Sequence, residues 1–180
     1  MEIVLNRLER NLSIINSKKK SYIEVEQRKY NGKELTTTQK CDLTYQLAME
    51  LITWIINTDD LLFKNVETYK KIKRQDKTYN QTMFGIRHAF NLFKHNMNIL
   101  SVEEIRHTLL FNNEDNDYYL ENTVWLNVDN LEIDHKQINA RKAYKETIEG
   151  RSLFETFNYI VRELSKYSSN ILNEYKVIQN

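Results

Sequence analysis

The stretch SLFETFNYIVRELSKYSSNILNEY, residues 152–175, carries the pattern on which the fold reading rests. Ser152 followed by Glu155 has the spacing of a capping box, in which each side chain satisfies a backbone N–H left over at a helix start. Phe154, Phe157, Val161, Leu164, Ile171 and Tyr175 then recur at helical spacing and form one apolar stripe. The stripe continues almost to the last residue. It predicts a long amphipathic helix that must bury one face.

The same period recurs upstream. Residues 2 to about 29 read as a long helix with Leu5, Leu8, Leu12, Ile15 and Tyr22 on one face, ended by the turn signal Asn31-Gly32. Thr36, Thr37 and Thr38 are candidate N-caps for a second helix carrying Leu43, Leu47, Leu51, Trp54 and Ile55. That helix is expected to stop near Asn57-Thr58, with Asp59 capping a third that buries Leu62, Val66, Tyr69 and Ile72. Asn80 is expected to cap a fourth, QTMFGIRHAFNLFKHN, ending at 96–98. A fifth is expected from Asp134 to about Glu149, stopped by Gly150.

Between residues 100 and 133 the helical period is lost. SVEEIRHTLLF and ENTVWLNVDNLEI are rich in β-branched and apolar residues, and the turn-like NNEDND lies between them. The expected architecture is mainly α: one domain over 1–180, an antiparallel bundle of about five to six helices. A β-hairpin or irregular acidic insertion at about 100–133 interrupts it.

Composition agrees. There is no proline and only 3 glycines in 180 residues, too few breakers for a turn-rich sandwich or barrel. With 41% hydrophobic and 28% charged residues the chain is not of the disordered class. No apolar run approaches the roughly 20 residues that cross a bilayer, and no secretion signal is recognisable, so no membrane association is expected. The single cysteine, Cys41, has no partner for an internal disulfide, and cytoplasmic residence is expected. Cys41 falls in a helical pattern and reads as a packing residue. Trp125, between Val124 and Leu126, reads as a packing anchor.

The net charge is +1, but its distribution is uneven. Lys70, Lys71, Lys73, Arg74 and Lys77 crowd one short segment and form a candidate nucleic-acid-binding patch. From Asn98 to His135 nine carboxylates stand against Arg106 alone, so the 112–134 segment is a candidate contact for a basic protein partner. The long stripes of the first and last helices suggest a homodimer.

Several chemistries lack their residues. There is no glycine-rich phosphate loop, no GxSxG elbow, no HExxH and no cysteine pair. Asn113, Asp115 and Asp117 begin like a calcium loop, but Tyr118 and Val124 stand where that loop needs glycine and glutamate. No metal or cofactor is expected.

One constellation remains. On a helical wheel Met83, Ile86, Ala89, Phe90, Phe93 and Met97 form the core face of the fourth helix, while Arg87, Asn91 and His95 follow at i, i+4 and i+8 on another. His88 is expected beside His95 on that polar face. His88 and His95 are seven residues apart, roughly 10 Å along the axis, too far to share a metal ion. Phosphate chemistry suits the set better. Arginine binds a phosphodiester bidentately, histidine is an acid–base near neutral pH, and asparagine can orient it. The substrate's own 2′-hydroxyl would then serve as nucleophile.

Arg87-His88 followed by His95 resembles the mark of HEPN domains, an arginine, often a polar residue, then four to six residues and a histidine; here seven residues intervene. The resemblance implies a small helical bundle acting on RNA, as a metal-independent ribonuclease of defence or toxin–antitoxin type. It also implies that Arg87 and His95 of two chains meet across a dimer. The alternative is a non-enzymatic binding or inhibitor protein that uses the acidic segment.

Overall fold

The computed structural model describes residues 1–95, 98–111, 114–130 and 138–179, with side chains at 104–120, 130 and 176–179 left aside. The chain runs α1 (Glu2–Glu26), β1 (Lys29–Tyr30), β2 (Lys33–Glu34), α2 (Thr37–Asn65), α3 (Glu67–Gln75), α4 (Lys77–Lys94), β3 (Leu100–Phe111) and β4 (Glu114–Trp125). After one 3₁₀ turn at Val128–Asn130 come α5 (Ile138–Thr147) and α6 (Leu153–Gln179). The fold is mainly α, with a short antiparallel hairpin (β1–β2) and a long one (β3–β4).

Two helix starts and one turn have a local cause. α2 starts at a full capping box, with the Thr36 hydroxyl accepting from the Gln39 N–H and the Gln39 side chain accepting from the Thr36 N–H. α6 starts as its sequence predicts, the Glu155 N–H donating to Ser152 Oγ at 3.4 Å. Asn31 (φ 50°) and Gly32 (φ 76°) turn the first hairpin; left-handed backbone at both positions is what a two-residue hairpin turn demands.

The helix boundary expected at Asn57–Thr58 does not exist: α2 runs through it to Asn65. Thr58 donates its hydroxyl to the Trp54 carbonyl at 2.7 Å, which satisfies it inside the helix. Asp59 caps nothing and is fully buried. The third helix starts instead after Val66. Asp76, not Asn80, caps α4, accepting from the Tyr79 N–H at 3.0 Å.

α1 lies along α2, α5 packs on α4, and α6 touches α1, α2, α3, α4 and β4. The stripes of α1 (Leu8, Ile15, Tyr22, Val25) and α6 (Phe157, Val161, Leu164, Ile171) are buried within the one chain. The feature that suggested a homodimer is thus covered without a second copy. Phe154 is a departure, 39% exposed on the outer side of the first turn of α6.

The long hairpin pairs Leu100 with Trp125 through to Phe111 with Glu114. Trp125 anchors it. The ring is 1% exposed, meets Phe93, Tyr144 and Phe157 edge to face, and donates Nε1–H to Thr156 Oγ1 at 3.1 Å. Its backbone also joins the turn before α6, with Trp125 N–H to Arg151 O at 3.1 Å and Gly150 N–H to Trp125 O at 2.9 Å. Met97, Asn112, Asn113, Asp134 and His135 lie outside the described residues, as does the side chain of His107. Of the acidic segment expected to meet a partner, the backbone is described from 114 to 130 and the side chains from Glu121 to Asp129.

Candidate nucleic-acid interface

α4 crosses α5 at Gly85, where an added Cβ would stand 3.2 Å from Tyr144 Cα and 3.3 Å from the Ala143 carbonyl. That close crossing carries His88, one turn on, into the interface. His88 is 2% exposed and its ring lies 5.7 Å from that of Tyr144, edge to face. The expectation that His88 shares a polar face with His95 is corrected. The wheel placed the core on a narrow arc, whereas α4 is covered on two sides, by α2 and α6 on one and by α5 on the other.

Arg87 turns the other way, toward α2. Its Nη2 lies 2.6 Å from Asp59 Oδ2 and 2.6 Å from Asp60 Oδ1. Burial works to lower the pKa of Arg87, and the hydrogen bonds and charges of the two aspartates more than reverse this. Asp59 has no exposed surface, and it also accepts from Lys73 Nζ at 2.7 and 2.6 Å and from the Tyr69 hydroxyl at 2.6 Å. The Tyr69 and Tyr79 hydroxyls are 2.9 Å apart behind it. Burial, then the charges of Tyr79 and Asp59, push the Tyr69 phenol far upward, so it stays protonated.

Asp59 is the residue that sequence reasoning missed. The signal was present: Asp59 follows Ile52 and Ile55 at helical spacing and precedes Leu62, so a carboxylate sits on an apolar stripe. A charge placed there must find cations. It takes Lys73, which is 8% exposed and leaves the candidate nucleic-acid patch for this structural role.

A cleft of about 480 Å³ opens above the network, lined by Asp60, Phe63, Arg74, Asn80, Phe84 and Arg87. Phe63 from α2 is 42% exposed and Phe84 from α4 is 45% exposed. Arg74, Lys71 and Lys77 are exposed at the end of α3 and the start of α4, and Lys70 is half-buried and paired with Glu67 at 2.9 Å. Among the five lining charges Asp59, Asp60, Lys73, Arg74 and Arg87, the cations exceed the carboxylates by one.

His95 is not part of this cleft. It is the exposed residue after the last turn of α4, its N–H donating to the Leu92 carbonyl at 3.1 Å. It stands eight positions beyond Arg87, roughly 12 Å along the axis. Asn91 is half-buried between them. Lys94 places its Nζ 4.3 Å from the centre of the Phe90 ring. Arg87, Asn91 and His95 thus climb one side of α4 without converging.

Among the described residues no three His, Cys, Asp or Glu side chains gather as a metal site requires, and no helix is long and apolar enough to cross a membrane. Cys41 is exposed on α2, where packing was expected. No protein-family model, curated protein or solved structure matches the chain.

Proposed function

We propose that the cleft between α2, α3 and α4 binds a segment of single-stranded RNA. The observation that carries this reading is the pair of half-exposed rings, Phe63 and Phe84, that line one cleft together with exposed Arg74, in a segment that also carries exposed Lys71 and Lys77. Large aromatic side chains left in water next to exposed cations suit stacked bases and a phosphate backbone. The rings accept any base, since every base has a π-face. Arg74 draws the backbone to the cleft, and Lys71 and Lys77, exposed in the same segment, add to the attraction. Asp60 and Arg87, tied to each other on the floor, offer an acceptor and a donor to the base edges.

Cleavage by Arg87 and His95 of one chain is not part of this reading. The guanidinium is held by two carboxylates and the imidazole lies about two turns away. The HEPN-like spacing contributes the substrate class, RNA, and not the reaction.

The test is fluorescence anisotropy of a labelled oligouridine. Changing Phe63 and Phe84 together to Ala is expected to weaken binding by about 1–3 kcal/mol for each stacked base, with the salt slope unchanged. Arg74→Ala and Lys71→Ala are expected to lower the salt slope by about one for each phosphate no longer neutralised. Affinity indifferent to the double phenylalanine change, or no binding at low salt by the folded protein, would remove the proposal.

A further inference from the structure

A second cleft lies between α2 and the base of the long hairpin. Its volume is about 390 Å³, within the range of small-molecule sites. Cys41, Thr44 and Tyr45 form the α2 wall, and Leu100 and Val102 of β3 face them. Two observations say what it would hold.

The first is charge. Among the described residues the only ionic groups of the wall are Lys40 and Glu121, and they answer each other, with Lys40 Nζ 3.1 Å from Glu121 Oε2. Glu26 stands 3.8 Å from the same Nζ, and Arg28 pairs with Glu121 from outside. These four charges cancel, and Lys40 is 3% exposed. No net charge remains among them to attract an anion or a cation.

The second is Thr44. It is 3% exposed, and its Oγ1 has no hydrogen-bond partner among the described residues. Thr53, Thr58, Thr82, Thr147 and Thr156 each donate to the carbonyl four residues back in their helices. Thr44 does not, although that acceptor is the ordinary choice for a buried helical threonine. A buried hydroxyl without a partner is costly, and the cost is relieved by a group that supplies the missing bond.

We propose that this cleft is a binding site for a small uncharged molecule carrying a hydrogen-bonding group that meets Thr44, with the Cys41 thiol on its rim. One wall comes from α2 and the other from the hairpin base, so an occupant holds the two together. The site is independent of the RNA cleft and needs none of its residues.

The probe is prodan, a neutral naphthalene with a carbonyl acceptor whose emission reports an apolar environment. Cys41 is the single thiol of the chain, so its alkylation by iodoacetamide, followed by mass, reads occupancy directly. Prodan is expected to bind one per chain. At about ten times its dissociation constant it is expected to slow alkylation about tenfold, because only the empty fraction reacts. Cys41→Phe fills the mouth from an exposed position and is expected to abolish binding with melting unchanged. Thr44→Val, nearly isosteric, is expected to weaken prodan several-fold without loss of fold, as one hydrogen bond to the carbonyl is lost. Failure of prodan to bind saturably, binding unchanged by Cys41→Phe, or equal protection by the anionic anilinonaphthalene sulfonate would each overturn the proposal.

Discussion

A carboxylate with no exposed surface needs its charge answered from several sides, and Asp59 is answered by Lys73, Arg87 and the Tyr69 hydroxyl. Removing one member leaves the others buried without a counter-charge. Asp59→Asn is therefore expected to lower stability by about 3–5 kcal/mol, read as a shift in the urea midpoint at unchanged m-value. Replacing Asp59 and Lys73 together by Leu and Met removes both charges and is expected to cost less than Asp59→Asn alone. A double variant less stable than the single one would show that the ion pair itself, not its imbalance, holds α2 to α3. His95 is the opposite case. It is exposed and outside the cleft, so His95→Ala is expected to leave both melting and oligouridine affinity unchanged. A clear loss of RNA binding in His95→Ala would move the interface along α4.

At the scale of elements, the tightest joint is the crossing of α4 and α5 at Gly85. A methyl group there would lie 2.8 Å from Thr147 Oγ1 as well as against the α5 backbone. Alanine is the better helix former by about 0.8–1 kcal/mol. Overpacking against a backbone that cannot step aside costs about 1–3 kcal/mol, so the sign of Gly85→Ala is expected to be destabilising. Calorimetry of the variant settles it: a raised melting temperature would mean that α5 can move away. The hairpin is the other joint. Two strands alone are marginal in water, and this pair is fastened by Trp125 and the backbone bonds around Gly150 and Arg151. Trp125→Ala is expected to cost about 3–5 kcal/mol and to increase hydrogen exchange at Leu126 and Gly150.

For the whole molecule, the ionisable groups point to an acid limit. Burial works to raise the pKa of Asp76, but its bonds from the Tyr167 hydroxyl and the Tyr79 N–H bring it below the usual carboxylate range. Burial opposes the shift at Glu121 and Glu163 too, and Lys40 with Arg28, and Arg162 with Lys166, prevail. Groups whose folded pKa is depressed contribute stability that is complete above their unfolded pKa and is lost as pH falls through the folded one. The urea midpoint is therefore expected to hold steady from neutrality to about pH 5 and to drop below about pH 4. Glu121→Gln should remove part of that drop. A midpoint that rises on acidification would contradict the sign.

Local chemistry is what the amino-acid sequence settled by itself. The N-caps at Thr36 and Ser152, the turn at Asn31-Gly32, the stripes of α1 and α6 and the loss of helical period after residue 100 all involve residues within a few positions of one another. Whatever the rest of the chain does, those preferences act. Tertiary structure decided the cases where two local signals competed or where the partner was remote. Asn57-Thr58-Asp59 has the look of a helix end, yet α2 continues because Lys73 and Arg87, 14 and 28 residues away, neutralise Asp59 inside the core. His88 stands on the polar side of a wheel drawn for one buried face, and a second face is buried because Gly85 admits α5. Arg87 has the chemistry of a phosphate clamp, but its partners are fixed by packing, and they are two aspartates. Spacing along one helix shows which side a residue takes; only the neighbouring helices determine whether that side meets solvent, a counter-charge or an aromatic wall.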